Sequence, residues 1–358
     1  MAVSQAIVAE VDRAGLLYSC DNAPGITRQR KESEFIYRSP IGSLITDPNE
    51  LERIRKLAIP PAYKDVWICS DPNGHLQATG FDDRGRKQYR YHPLFREIRD
   101  QSKFERLATF GKVLPLLRRN IDRDLRRRDL CRQRVLAFVV CLLERSLIRI
   151  GNQEYAKENE SYGLTTMLKG HALVSGPSIE FAFLGKSKVR HHIKIQDRRL
   201  ARLMKRLQGL PGQELLQYID EDGEPRSIHS EDVNLYLREA TGQHFTAKYF
   251  RTWWASLLAL SELSGKEPPA TKTQAARTIG AALKAVSKQL GNTPAICRKC
   301  YVHPCIVEGY REGALHNCPE IPNQPGLTDA SLAKTESCLI TFLEKAAASK
   351  SRTAFHEV

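Results

Sequence analysis

The segment DVWICSDPNGHLQATG, residues 65–80, decides how the first part of the chain folds. Its opening run contains β-branched and aromatic residues, and the Asn73-Gly74 dipeptide separates that run from a second short one. An Asn-Gly pair between such runs is a strong local signal for a β-hairpin. A third run, KQYRYH, follows at 87–92, and one helix is predicted earlier, in PNELERIRKLA at 48–58. The sequence therefore predicts that the chain begins with a small β-rich domain.

From about residue 104 the pattern changes to long helical segments. Apolar residues recur at helical spacing over 112–150, 245–263 and 271–291. The exception is IEFAFLGKSKVRHHIKI at 179–195, where apolar residues alternate before a GKSK turn, as in a β-hairpin. The predicted fold class is α+β, with a larger, mainly helical domain that contains a hairpin or small sheet. The predicted divisions are residues 1–103, residues 104–319 and a helical and polar tail at 320–358.

The chain is strongly basic. Of its 358 residues, 55 are Lys or Arg and 41 are Asp or Glu, which gives a formal charge of +14. Such an excess favours a polyanionic partner, although it also serves solubility. The longest strongly apolar run, 135–143, is too short to cross a bilayer, and charged residues interrupt the first apolar residues of the chain, so neither a membrane span nor a signal peptide is expected. The nine cysteines are an odd number, which favours reduced thiols and a cytoplasmic location over a disulfide framework.

The stretch NTPAICRKCYVHP, residues 292–304, groups cysteines, cations, a tyrosine and a histidine. Cys297 and Cys300 have the spacing of one half of a zinc site. The other candidate ligands are His303, Cys305 and Cys318. A structural zinc site normally has a second pair with similar spacing, and these candidates are scattered. No metal site is therefore predicted.

Tyr301 is the other reactive group in this stretch. A phenol has a pKa of about 10, so it is a poor nucleophile at neutral pH unless cations stabilise its anion or the transition state. The same half of the chain supplies Arg149, Lys186 and Arg251, each of which, taken alone, is most simply a surface charge. Together they are the groups that phosphodiester transesterification needs, because arginines hold the non-bridging oxygens and a lysine protonates the departing 5′-oxygen. This chemistry requires no metal.

Four segments form a recognisable set. They are LIRIGNQEYAKENESYGLTTM at 147–167, FAFLGKSKVRH at 181–191, FTAKYFRTWWAS at 245–256 and LGNTPAICRKCYVHP at 290–304. In this order they resemble the active-site segments of type IB DNA topoisomerases, specifically the compact poxvirus and bacterial branch. Upstream, IPPAYKDVWIC and NGHLQATGFDDRGRKQYRYH look like the N-terminal DNA-clamping domain of the bacterial members. The resemblance covers residues 34–304 and implies a tyrosine recombinase/topoisomerase IB-like fold that forms a clamp around duplex DNA.

The resemblance also implies the catalytic residues. Tyr301 would attack a DNA phosphate and form a 3′-phosphotyrosyl link, Arg149 and Arg251 would hold the scissile phosphate, and Lys186 would be the general acid. The fifth position of the family, nine residues before the tyrosine, is commonly histidine and here is Asn292, as in bacterial members. An amide donates a hydrogen bond but cannot carry a proton in catalysis, so Asn292 is assigned to stabilising the transition state.

The activity implied is that of an isomerase that relaxes supercoiled duplex DNA by single-strand cleavage, strand swivelling and religation. The expected protein is a monomer that needs neither ATP nor another small-molecule cofactor, because the phosphotyrosyl bond conserves the energy of the phosphodiester. In agreement, the sequence contains no G-x-x-x-x-G-K-[ST] phosphate loop. The expected location is cytoplasmic, with the nucleoid as its site of action if the host is bacterial.

DNA contacts outside the catalytic residues are predicted in two places. In RGRKQYRYH, cations alternate with aromatic residues on a short strand, a pattern that suits both backbone and groove, although an edge strand protected by cations gives the same pattern. The residues predicted there are Arg84, Arg86, Lys87, Tyr89 and Tyr91. After Arg149, the residues that look like the family's phosphate contacts are Tyr155, Lys157 and Asn159.

Two other functions stay open at this point. A tyrosine site-specific recombinase uses similar catalytic residues, but the β-rich N-terminal part and the absence of an H-x-x-R pattern in TAKYFRTWW disfavour it. A non-catalytic DNA-binding protein on the same scaffold would not need the full set of catalytic side chains. Relaxation of a plasmid without specific sites distinguishes both from a topoisomerase.

Overall fold

The computed structural model describes residues 8, 11–31, 34–83, 85, 87–315 and 330–356. The chain divides into two compact units, Met1–Phe104 and Glu105–Val358. The first unit is built on a β-sheet and the second is mainly helical, so the predicted α+β fold class is confirmed. The assignment of DNA clamping to the first unit and of catalysis to the second stays a prediction.

The first unit contains a five-stranded sheet in the order β2-β1-β3-β4-β5. Its strands are β1 (Ile26–Lys31), β2 (Glu34–Arg38), β3 (Lys64–Ile68), β4 (Leu76–Phe81) and β5 (Lys87–Tyr91), and its helices are α1 (Pro48–Lys56) and α2 (Pro93–Glu105). Neighbouring strands are antiparallel throughout. The predicted pairing of β3 with β4 is confirmed, but residues 69–75 connect them instead of a tight Asn-Gly turn.

The core of the first unit follows from alternation along β3. Val66 and Ile68 are buried on the same side of the strand and pack with Ile54 of α1. That helix begins after Asp47, whose side chain accepts the backbone NH of Asn49 over 3.0 Å. The small core is therefore formed by alternate residues of β3 and by one face of the capped helix α1.

The second unit combines helices with two small sheets. Its helices are α3 (Leu107–Leu125), α4 (Arg132–Ser146), α5 (Gln153–Asn159), α6 (Arg198–Gln208), α7 (Ser230–Thr241), α8 (Lys248–Ser264), α9 (Lys272–Leu290), α10 (Pro294–Cys300), α11 (Pro304–Arg311) and α12 (Ala330–His356). The strands β6 (Ala172–Ser175), β7 (Ser178–Leu184) and β8 (Arg190–Gln196) form an antiparallel three-stranded sheet, and β9 (Gln217–Ile219) pairs with β10 (Pro225–Ser227). The predicted hairpin at 179–195 is confirmed as β7 and β8.

Helix α4 is the centre of the second unit. Every residue from Val135 to Leu143 is buried, and the helix packs against α3, α7, α8 and β8. A helix that is apolar on all sides is expected in the middle of a core, so the longest apolar run of the sequence has a structural explanation. In the part of the chain that the structure describes, no helix has the length and apolar character of a membrane span.

Helix α12 lies in the segment 320–358 that the sequence separates as a tail. It packs against α3 and α8, and Leu332, Leu339 and Leu343 are buried in the core of the second unit. The described part of this segment is therefore part of that core.

A buried ion cluster links α12 to the other helices. Arg118 of α3 donates to Glu144 of α4 over 2.6 Å and to Glu336 of α12 over 2.6 Å. The indole Nε1 of Trp253, on α8, also donates to Glu336, over 3.2 Å. One guanidinium therefore holds two buried carboxylates from different helices.

Replacing this arginine by an apolar residue of similar length, Arg118→Met, is expected to lower the free energy of unfolding by about 3–5 kcal/mol at neutral pH, because both carboxylates lose their cation. Burial raises the pKa of Glu144 above its ordinary 4.5, and the charge of Arg118 opposes that rise. Without Arg118 the pKa of Glu144 in the folded state rises further. The variant therefore loses stability as the pH increases above the ordinary glutamate pKa, and its loss in free energy of unfolding is smaller in mild acid.

Urea denaturation at neutral and mildly acidic pH measures this effect. The control is Arg119→Met, since Arg119 is the exposed neighbour on the same helix and its replacement should change stability by less than about 0.5 kcal/mol. Equal losses for the two variants would contradict the role given to Arg118.

Candidate active site

Arg149 lies on the irregular segment that follows α4. Leu147 ends that helix in the left-handed region, with φ 56°, which costs a non-glycine residue about 1–2 kcal/mol and turns the chain sharply. Beyond the turn, the backbone NH of Leu164 donates to the carbonyl of Arg149 over 2.9 Å. The next NH, of Thr165, donates to the carbonyl of Ile150 over 2.7 Å. The backbone that carries Arg149 is therefore fixed by a second segment.

Arg251 lies on α8, and only 5% of its surface is exposed. Its Nη1 donates to the carbonyl of Leu147, and its Nη2 donates to the carbonyl of Leu290 over 2.6 Å. These carbonyls come two residues before Arg149 and Asn292, so one guanidinium joins the two segments that carry those side chains. The buried Nε of Arg251 has no hydrogen-bond partner among the described residues, so one donor of the guanidinium stays unused.

Asn292 follows the end of α9. Gly291 terminates that helix with φ 60°, which glycine adopts without strain, and the backbone NH of Asn292 returns to the carbonyl of Ser287 over 3.0 Å. The Nη2 of Arg149 donates to Oδ1 of Asn292. The Nδ2 of the same amide is buried beside the Cys297 thiol and has no nitrogen or oxygen acceptor among the described residues. The amide oxygen therefore orients Arg149, and the weak thiol acceptor leaves the amide NH₂ available to a stronger one.

Tyr301 follows the short helix α10. This helix begins with Pro294 after Thr293, an N-cap residue followed by a proline at the first helical position. Beyond the helix, Ser256 of α8 fixes the chain on both sides of Val302. Its Oγ donates to the carbonyl of Tyr301 over 3.2 Å and accepts the backbone NH of His303 over 3.0 Å.

The ring of Tyr301 lies beside the guanidinium of Arg251, whose Cζ is 5.2 Å from the ring centroid. Burial acts to raise the pKa of Tyr301, but the charges of Arg251 and Arg149 and a hydrogen bond from Arg251 outweigh it, so the pKa lies below its ordinary 10.0. Neither arginine forms an ion pair with a described carboxylate. A partly buried site with two cations and no counter-ion among the described residues is suited to an anion. We call Arg149, Arg251, Asn292 and Tyr301 the phosphate pocket.

Lys186 lies on the predicted turn between β7 and β8. The next two residues, Ser187 and Lys188, both have left-handed backbones, with φ 64° and 56°, which is strained for residues other than glycine. The NH of Gly185 closes the turn by donating to the carbonyl of Val189 over 2.8 Å. The Lys186 side chain is exposed and makes no hydrogen bond or ion pair with a described residue. The structure therefore brings four of the five predicted catalytic residues together and leaves Lys186 outside their contacts.

Two of the three described cysteines of this region pack in the core. Within the described ranges, no group of three His, Cys, Asp or Glu side chains is arranged to hold a metal ion, and Cys318 lies outside those ranges. Cys297 and Cys305 are buried, and burial raises the pKa of the Cys297 thiol, which disfavours the thiolate that binds metals. The Nδ1 of His303 accepts the backbone NH of Cys305 over 3.2 Å, so this histidine caps α11.

Strand β5, at the edge of the sheet in the first unit, carries three of the predicted DNA contacts. Lys87 is paired with Asp21 at 2.5 Å, and that hydrogen bond raises the pKa of Lys87. Tyr89 is 47% exposed and stacks on Tyr91, with 6.1 Å between the ring centroids. Tyr91 in turn packs against Phe95. Of these three side chains, Tyr89 is therefore the most accessible.

The other predicted DNA contacts are less complete in the structure. Lys157 is exposed on α5, whereas Asn159 at the end of that helix is buried. Arg84, Arg86 and the side chain of Tyr155 lie outside the described residues.

Sequence reasoning missed the groups that hold the phosphate pocket together. The role of the Leu147 and Leu290 carbonyls cannot be predicted from residue types, because every residue has a carbonyl. Ser256 lies inside the FTAKYFRTWWAS segment, but a serine on a helix gives no sign that it binds a distant backbone.

Comparisons with known proteins identify the family of the chain. The family model described as "Eukaryotic DNA topoisomerase I, catalytic core" matches residues 92–315, and that described as "Bacterial DNA topoisomerase IB, N-terminal domain" matches residues 34–82. The chain is 34% identical over 294 residues to DNA topoisomerase 1B of Acanthamoeba polyphaga mimivirus, covering 80% of this chain and 88% of that relative. It is 25% identical over 284 residues to DNA topoisomerase 1B of Vaccinia virus (strain Copenhagen), covering 75% and 87%. The chain belongs to the type IB DNA topoisomerase family.

Proposed function

We propose that the chain relaxes supercoiled duplex DNA by cutting one strand and rejoining it. The observation that carries the proposal is the phosphate pocket, in which Arg149 contacts Asn292 and Arg251 lies beside Tyr301. The buried guanidinium of Arg251, the half-buried one of Arg149 and the amide NH₂ of Asn292 are donors of the kind that hold the oxygens of a phosphodiester. The lowered pKa of Tyr301 makes its phenol a better nucleophile.

In the proposed reaction, the phenolic oxygen of Tyr301 attacks phosphorus and loses its proton to solvent. The bond between phosphorus and the 5′-oxygen breaks, and Lys186 gives that oxygen a proton. The phosphate stays on the 3′-oxygen of the cut strand as a 3′-phosphotyrosyl diester. Arg149, Arg251 and Asn292 donate to the non-bridging oxygens, which gain charge in the transition state. Attack by the 5′-hydroxyl reverses each transfer and reseals the strand without ATP.

A plasmid relaxation assay in the presence of a chelator and without ATP tests this function. Relaxation of a plasmid that lacks designated sites is the expected result. Strand exchange confined to particular sites would indicate a recombinase, and binding without relaxation would indicate a non-catalytic DNA-binding protein. Loss of activity with chelator that zinc restores would indicate a metal role that the proposal omits.

Binding to duplex DNA should weaken steeply as salt increases. Each phosphate that the protein neutralises contributes a slope of about 0.9 in log affinity against log salt, because counterions are released. Fluorescence anisotropy across a salt series measures the slope. Lys157→Ala should reduce it by about one unit. Arg226→Ala should not, because Arg226 is already paired with Asp220 at 2.8 Å. A flat response of the unmodified protein would contradict the proposed basic interface.

The proposal also includes a monomeric enzyme that clamps duplex DNA and acts in the cytoplasm. Light scattering with and without a short duplex tests the stoichiometry, and one chain per duplex is the expected result.

A further inference from the structure

We propose that His191 is a positioning residue, which fixes the turn that carries Lys186 against the loop that carries Asn292. This inference rests on the proposed function, because it concerns how the general acid reaches the phosphate pocket. It concerns a residue of β8 that makes no direct contact with the reacting atoms in the proposed reaction.

On the hairpin side, the imidazole packs on the backbone next to Lys186. His191 of β8 is opposite Phe183 of β7, and the two rings stack with 5.0 Å between centroids and 17° between planes. The imidazole also lies against Gly185, where an added methyl group would be 2.6 Å from Cδ2 and 2.7 Å from Nε2. Since carbon atoms do not approach that closely, the ring occupies the place of a side chain at position 185.

On the loop side, the same ring packs on the backbone next to Asn292. An added methyl group at Gly291 would overlap Cε1 of His191 and would be 3.2 Å from Nδ1. Gly291 also needs its positive φ to end α9, but Gly185 has φ −93°, which any residue adopts. The reason for glycine at 185 is therefore the space that the imidazole occupies.

The environment of His191 keeps the imidazole neutral. Burial lowers the pKa of His191, and the charges of Arg149 and Arg251 lower it further. At neutral pH the ring consequently adds no charge to the phosphate pocket and acts by packing.

This packing matters because the Lys186 side chain makes no hydrogen bond or ion pair with a described residue. Its strained turn is closed by the hydrogen bond from the NH of Gly185 to the carbonyl of Val189, and the contact with His191 holds it against the loop of Asn292. A displacement of about 1 Å in a catalytic group can reduce a rate about 100-fold. Removing the ring would let the turn move relative to the loop, and the cleavage step would lose its proton donor.

The test compares single-turnover cleavage of two duplexes by the full chain. One duplex is unmodified, and in the other a sulfur atom replaces the bridging 5′-oxygen at the cleavage site. A thiol has a pKa of about 8.5, far below that of an alcohol, so the thiolate leaves without a proton when the phosphorus–sulfur bond breaks. A variant that lacks only the general acid, or only its positioning, is therefore slow on the first duplex and normal on the second.

His191→Ala and Lys186→Ala should both cut the unmodified duplex more slowly, by about 10- to 100-fold for His191→Ala. Both should recover on the sulfur duplex. Recovery of Lys186→Ala without recovery of His191→Ala would overturn this inference and leave the general acid in place. If Lys186→Ala does not recover, the general acid of the proposed function fails, and the inference fails with it. Normal cleavage by His191→Ala on both duplexes would also overturn the inference.

A second variant tests the packing of His191 against Gly185 without removing the histidine. Gly185→Ala should slow cleavage of the unmodified duplex as His191→Ala does, because its methyl group displaces the ring. The double variant Gly185→Ala/His191→Ala should cleave about as slowly as either single variant, because the methyl group enters the space that the ring leaves. If the two reductions in cleavage rate multiplied instead, the packing would be contradicted.

The controls are His192→Ala, on the opposite face of β8, and Gly170→Ala, whose methyl group would meet no atom within 4 Å. Both should cleave normally, and a loss equal to that of His191→Ala would contradict a specific role.

Discussion

Tyr301→Phe is expected to reduce plasmid relaxation by on the order of 10⁶-fold, or to below detection, and to abolish the covalent adduct with DNA. The phenolic oxygen is the proposed nucleophile, because the pKa of Tyr301 is lowered, whereas burial raises the pKa of the nearby Cys297 thiol. Duplex binding should stay nearly unchanged, because phenylalanine keeps the ring beside Arg251 and the backbone bonds to Ser256.

The matched control is Tyr310→Phe. Tyr310 is also buried, and its hydroxyl donates to the carbonyl of Glu267 over 3.1 Å. Its loss should lower stability by about 1 kcal/mol and leave relaxation intact. Residual relaxation by Tyr301→Phe, or its loss in Tyr310→Phe, would show that the nucleophile is a different residue.

Arg251→Ala is expected to have the second largest effect, a loss of about 10³- to 10⁵-fold in the cleavage rate. Its guanidinium would contact the developing charge on the phosphate, and it also joins the segments of Leu147 and Leu290. Arg251→Lys should recover little, because an ammonium cannot reproduce the planar fork that reaches both carbonyls. Single-turnover cleavage, measured below the melting temperature of each variant, gives the rates.

The pH dependence of Arg251→Ala distinguishes its electrostatic role from simple damage. Arg251 is the largest influence that lowers the pKa of Tyr301, so without it that pKa rises. The pH at which the cleavage rate levels off should move to the alkaline side. An unshifted profile would mean that Arg251 does not act on the nucleophile. As a control, Arg202→Ala removes an exposed arginine of α6 and should leave both the rate and the profile unchanged.

Local patterns predicted much of the fold. The alternation in 179–195 predicted the β7–β8 hairpin because each residue's direction depends only on its neighbours in the strand. The Asn73-Gly74 signal predicted the pairing of β3 and β4 but misplaced the turn. There, the Nε2 of Gln77 donates to the carbonyls of Asp71, Pro72 and Gly74, so a side chain outside the dipeptide shapes the connection.

The candidate site could be predicted as a set of residue types but not as an arrangement. Arg149, Arg251, Asn292 and Tyr301 were identified because their segments resemble a known family. Their mutual position depends on backbone carbonyls and on a left-handed turn at Leu147. Neither feature can be predicted from residue types. The packing of His191 between Gly185 and Gly291 likewise could not be predicted, because the two glycines are far apart in the sequence.

The most direct test of the account is to trap the protein on duplex DNA with a denaturing detergent and to map the attached peptide. The proposed mechanism predicts a covalent adduct to the 3′-phosphate of the cut strand, with the DNA joined to the phenolic oxygen of Tyr301. Attachment to another residue, attachment to the 5′ end, or cleavage without any adduct would contradict it.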